Sequence, residues 1–156
     1  MNYYKLPDMS YYQYGWNKEI TKIEKYINFE ELRQQTRGII LRASQGNWQD
    51  KAYKVSCQNA KAAGLLVGNY HYYDNRYHPK RQAEAWAASI SDEQCVLGAW
   101  LDLEDSRPGQ YKTYLDWADC MAYFRLLKPN VKVGIYTRAS YFNDPAFSIP
   151  VNHAFR

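Results

Sequence analysis

Val96-Leu97-Gly98-Ala99-Trp100-Leu101-Asp102-Leu103-Glu104-Asp105 is an apolar run that ends in three acids. Successive side chains of an extended strand point to opposite faces. Leu101 and Leu103 therefore share one side, suited to helices packed on a sheet, and Asp102 and Glu104 share the other. A strand from Val96 to Leu103 that is apolar on both faces reads as a buried strand of a parallel sheet. Its acids fall at the C-terminal end, where α/β folds assemble their sites. Two carboxylates on one face repel, so their pKa values separate and one stays protonated near neutral pH as a general acid. Glycoside hydrolysis uses such a pair. Taken alone, the Asp-x-Glu pattern reads equally as a solvated strand-to-loop edge or a divalent-metal site.

Outward from this strand, four more apolar runs alternate with helical stretches. Tyr4–Met9, Gly38–Ala43, Leu65–Tyr72 and Val131–Tyr136 are the other strand candidates. Asn28, with Glu31 three residues on, has the pattern of a capping box before Leu32. Asp50 can cap a helix that carries Tyr53, Cys57 and Ala60 on one face and stops at Gly64. Pro79 suits the first turn of a helix through Ala83, Trp86 and Ala87. After Pro108-Gly109, the residues Tyr114, Trp117, Ala118, Met121 and Phe124 recur at helical spacing before Pro129. Repeated strand–helix units make the chain α/β with a parallel sheet. Five such strands fit a doubly wound sheet, although the first loop lacks the glycine-rich phosphate fingerprint. They also fit the first part of an eight-stranded barrel, for which 156 residues fall short of the usual ~250.

Composition narrows the function classes. At 46% hydrophobic and 23% charged residues the chain is an ordinary globular one, and its length suits one domain. Sixteen Tyr and five Trp offer flat faces with polar tips that suit sugar rings, although most serve as ordinary amphipathic surface or core. A net charge of +4 favours an anionic polymer such as a bacterial wall or nucleic acid. The Lys and Arg are scattered, no run of five occurs and no nucleic-acid motif is found, so nucleic acid is not an expected partner. Cys57, Cys95 and Cys120 are odd in number and widely spaced, which reads as three reduced, buried thiols and neither a disulfide framework nor a zinc site. Met1–Trp16 lacks a basic and an apolar signal region, so no signal peptide is expected and the chain reads as made in a cytoplasm. No stretch approaches the ~18 apolar residues of a membrane span, so membrane insertion is not expected.

Further side chains gather near the acids. Asp8 closes the first strand and in a barrel would join Asp102 and Glu104 at one rim; by itself it also reads as a turn cap. Tyr70, Tyr72 and Tyr136 lie near the C-terminal ends of their strands, where a hydroxyl can bond a sugar or a carboxylate. Each also reads as an interior filler.

Five segments occur in order: Asp8-Met9-Ser10-Tyr11-Tyr12-Gln13, Ile40 to Gly46, Ala60 to Tyr73, Leu101-Asp102-Leu103-Glu104 and Gly134-Ile135-Tyr136-Thr137. Together they resemble the successive strand motifs of glycoside hydrolase family 25, the muramidases of bacteria, fungi and phage lysins. The likeness runs from about Pro7 to about Phe142. It implies a single catalytic domain over 1–156 and an incomplete TIM-like α/β barrel holding the first five β/α units. The implied activity is cleavage of the β-1,4 bond between N-acetylmuramic acid and N-acetylglucosamine in peptidoglycan, without metal or cofactor, after release or export to the wall. By position, Glu104 matches the general acid and Asp102 its partner carboxylate, acting directly or by supporting the sugar's acetamido group. Asp8 matches the first-strand acid, and Tyr70, Tyr72, Tyr136 and Arg42 fall on substrate-binding positions. Two departures follow: the stretch from Gln13 to Ile27 is longer than the family pattern, and the last three strands, with a cleft tryptophan and a terminal acid, have no counterpart. The expectation is a truncated enzyme of poor activity alone; the alternative is an inactive remnant or wall-binding domain. The oligomeric state stays open.

Overall fold

Local sequence signals place the four helices of the structure, a computed structural model that describes residues 6–15, 27–105 and 107–138. Helix α1, Phe29–Gln35, starts where the Asn28 side chain accepts the Glu31 amide at 3.1 Å. Helix α2 spans Tyr53–Ala62 and is followed by Gly64 at φ 75°. Helix α3, Pro79–Ser89, has proline in its first turn. Helix α4, Tyr114–Leu127, opens with a full capping box between Thr113 and Asp116. The cap expected of Asp50 is shifted by two residues. Ala52 holds the N-cap position of α2, and Asp50 accepts the Ala52 amide on Oδ1 at 2.9 Å while its Oδ2 takes a buried arginine described below.

The sheet contains β1 (Asp8–Met9), β2 (Gly38–Gln45), β3 (Trp48–Gln49), β4 (Leu66–Tyr72), β5 (Ala99–Leu103) and β6 (Val133–Thr137). Its order is β1-β2-β4-β5-β6 with every neighbouring pair parallel, and β3 folds back antiparallel on β2. This is a mixed α/β fold built on a parallel sheet. Among the described residues β1 and β6 end the strand order, and closure into a barrel is not seen there. No described helix is long and apolar enough to cross a membrane.

Strand bounds differ from the sequence reading for local reasons. Val96 and Leu97 lie in a turn before Gly98 at φ 83°, so β5 starts at Ala99 and Val96 is exposed. The Val131 amide bonds back to Lys128 O, which delays β6 to Val133. Tyr4 and Lys5 of the first strand candidate, most of the long first loop and the segment after Arg138 lie outside the described residues.

The core lies between the sheet and its helices. Trp86 of α3 is fully buried, stacks on Phe124 of α4 at 3.9 Å between ring centres, and donates to Asn69 Oδ1 of β4 at 2.7 Å. His71 of β4 stacks on the same tryptophan and sits between Ser44 Oγ and Gln82 Oε1. Burial lowers its pKa to about 4, so it is a neutral packing residue on the helix side. All three cysteines are free and buried.

Candidate active site

Strand alternation and register decide which side chains meet. Asn69 and His71 bond residues of α3, so Tyr70 and Tyr72 face away from the helices. Leu101 and Leu103 are buried with the core, so Trp100 and Asp102 take that same helix-free face. In register, Tyr72 neighbours Asp102 and Asp102 neighbours Tyr136, one row near the C-terminal ends of three strands. The row beneath runs Arg42, Tyr70, Trp100, Gly134. At Gly134 an added Cβ would lie 2.7 Å from the Trp100 ring, so any larger residue would push the ring aside. Asp8 pairs with Ile40, two residues before Arg42, and so shares this face. Glu104 lies one residue beyond β5 and is half-buried; Thr137 and Arg138 bond the carbonyls of Leu103 and Glu104, fixing the strand end against β6.

The electrostatics single out Asp102. Its side chain is buried, and Oδ1 has no hydrogen-bond partner. Burial first, then the charges of Glu104 and Asp8, push its pKa up to about 7, against the weaker pull of Arg42 and Arg138. Glu104's charge, followed by burial, raises the Tyr136 hydroxyl, and burial raises Tyr72 to about 12 and Tyr70 further. The sequence expects a separated carboxylate pair whose proton, by resemblance, sits on Glu104. In this geometry the field favours a proton on Asp102, which is enclosed in the sheet, while Glu104 stands at its mouth.

Arg42 is placed less openly than a groove residue. Its Nε donates to Asp50 Oδ2 at 2.8 Å and its Nη1 to Gln45 Oε1 at 3.0 Å, and the guanidinium lies 4.8–5.2 Å from the ring centres of Tyr11, Tyr12 and Trp48. The sequence reading missed Asp50 and these rings as one unit. The available signal was the Gly46-Asn47 turn, with Gly46 at φ 53°, which makes the β2–β3 hairpin and brings Trp48 and Asp50 back onto Arg42.

A second unforeseen group braces the rim. Asp74, after β4, and Asp105, after β5, are buried, and Arg107 bonds both, at 3.1 Å and 2.6 Å. Asn75 Nδ2 donates to the carbonyls of Asp105 and Arg107. The segment after β4 is thereby tied to the segment that follows Glu104. Among the described residues no group of three or more His, Cys, Asp and Glu side chains could hold a metal ion.

Comparison with known proteins places this geometry. A family 25 glycosyl hydrolase from Bacillus anthracis superposes with a TM-score of 0.71 at 18% identity, covering 96% of this chain and 67% of that one. A bacterial lysozyme from Streptomyces coelicolor gives 0.69 at 23% identity, covering 87% and 63%. A family GH25 lysozyme from Aspergillus fumigatus gives 0.68 at 21% identity, covering 88% and 66%. The chain thus spans about two thirds of the length of the solved structures it matches. No curated protein sequence matches it significantly. The family model of glycosyl hydrolases family 25 matches residues 16–153, most of the chain, and the protein belongs to that family.

Proposed function

We propose that this chain is the catalytic domain of a peptidoglycan muramidase that cleaves the β-1,4 bond between N-acetylmuramic acid and N-acetylglucosamine. The observation that carries the reading is the placement of Asp102 and Glu104 at the C-terminal end of a parallel strand in a family 25 chain. The five parallel strands are then the first five units of an incomplete α/β barrel, with the helix-free face as its interior.

In this reading Glu104, at the mouth, protonates the leaving oxygen. Asp102 offers an unpaired acceptor to the substrate. A hydrogen bond from the sugar's acetamido N–H to Oδ1 stabilises the charged form of Asp102 and lowers its pKa. The proton held by the pair then passes to Glu104, and the oriented acetamido oxygen attacks the anomeric carbon as the glycosidic bond breaks. Asp8 adds negative charge that stabilises the developing cation, and Tyr70, Tyr72 and Tyr136 line the groove. Arg42 acts beneath it as a fixed cation.

The test is Glu104→Gln in lysis of purified peptidoglycan, with circular dichroism to verify folding. Loss of a positioned general acid reduces the rate on the order of a hundred- to ten-thousand-fold. Lysis within a few-fold of wild type would remove Glu104 from this role. A second reading is a wall-binding domain that does not cleave. It predicts binding without lysis for wild type and variant alike.

A further inference from the structure

The carboxylate chemistry leaves one built feature unused, the aromatic group at the ends of β1 and β2. Tyr11 and Tyr12 sit 4.2 Å apart between ring centres, and Trp48 lies edge-on to Tyr11 at 5.9 Å. Tyr12 is 63% exposed, an unusual position for a ring whose neighbours are held so firmly. Beneath all three rings lies the buried Arg42 guanidinium, itself bonded to Asp50 and Gln45. Asp50 also accepts the Tyr11 amide at 3.1 Å, and a capping box between Ser10 and Gln13 holds the short 3-10 turn that carries both tyrosines.

An exposed ring held in advance loses little conformational freedom when a ligand arrives. Tyr and Trp combine an apolar face, matching the C–H face of a pyranose, with a polar tip for its hydroxyls. The group also follows directly from Asp8 in the chain, and Arg42 lies in the row beneath Asp102, so the patch continues the rim that holds the acids. We infer that Tyr12, with Tyr11 and Trp48, forms a glycan-stacking subsite separate from the carboxylates, which seats a pyranose ring of the same polysaccharide strand. Arg42 and Asp50 are its positioning residues. This rests on the polysaccharide reading above but does not require cleavage.

The test measures binding of the β-1,4-linked N-acetylglucosamine tetramer by calorimetry and of purified insoluble peptidoglycan by co-sedimentation. Both use the 156-residue chain carrying Glu104→Gln, so that no cleavage intervenes. Against that parent, Tyr12→Ala should weaken binding roughly three- to ten-fold, the range expected for one lost aromatic contact, with Trp48→Ala similar. Tyr12→Phe keeps the ring face and should stay within about two-fold, and the thermal midpoint of the Tyr12 variants should not move, because the side chain is exposed. Equal binding by parent, Tyr12→Ala and Trp48→Ala overturns the subsite, as does failure of the parent to bind either probe. If Tyr12→Ala weakens binding while wild type releases no sugar from walls, cleavage fails and the subsite stands. If wild type lyses walls and Tyr12→Ala binds as the parent does, the subsite alone fails.

Discussion

Replacing Asp102 by Asn should stabilise the protein at neutral pH relative to its stability in acid. The Asp102 pKa rises from 3.8 to about 7 on folding, chiefly through burial and then through Glu104 and Asp8. Between those two values the folded chain holds a proton that the unfolded chain has released. Stability from this group is therefore fully present below about pH 4, falls as pH rises, and levels off above pH 7. At about 1.36 kcal/mol per pH unit, the ionised group costs the fold roughly 4 kcal/mol at pH 8. Asn carries no charge and removes that slope. It also buries an amide with poor partners, a penalty of about 1–3 kcal/mol that does not vary with pH. The variant should be less stable than wild type by roughly 1–3 kcal/mol at pH 4 and more stable by about 1–3 kcal/mol at pH 8. Urea unfolding followed by tryptophan fluorescence at the two pH values measures both differences, and their change with pH is free of the constant amide penalty. A difference from wild type that is the same at pH 4 and pH 8 would refute the reasoning, and with it the enclosed, repelled state of Asp102.

Two further substitutions probe what surrounds the site. Arg107→Ala removes a shared partner of the buried Asp74 and Asp105, and because Arg107 is itself half-exposed the loss should be roughly 1–3 kcal/mol, read as a lowered thermal midpoint. Conversion of Trp86 to Ala empties a fully buried site stacked on Phe124 and orphans Asn69 Oδ1; about 3–5 kcal/mol should be lost, and a urea midpoint near that of wild type would show that α3 and α4 do not share one core.

Several features were legible in the sequence because burial imposes a period on it. The alternation Leu101-Asp102-Leu103 sends leucines to the helices and the acid to the open face, and any slip by one residue would bury the charge among apolar side chains. Pro79 and the apolar spacing from Tyr114 to Phe124 mark α3 and α4 for equally local reasons. Short-range signals were incomplete where a tertiary partner shared the same group. Asp50 reads as a helix cap, and its Oδ1 does accept the Ala52 amide ahead of α2, but its Oδ2 also holds the buried Arg42 guanidinium, a contact that only the β2–β3 hairpin brings about. Val96 looks like strand, but Gly98 at positive φ turns the chain before β5 begins. Sequence placed two carboxylates side by side and could say that one should hold a proton. Which one was decided by depth: Asp102 is enclosed by neighbouring strands and Glu104 stands past the strand's end, a difference in solvation that exists only once the sheet has formed.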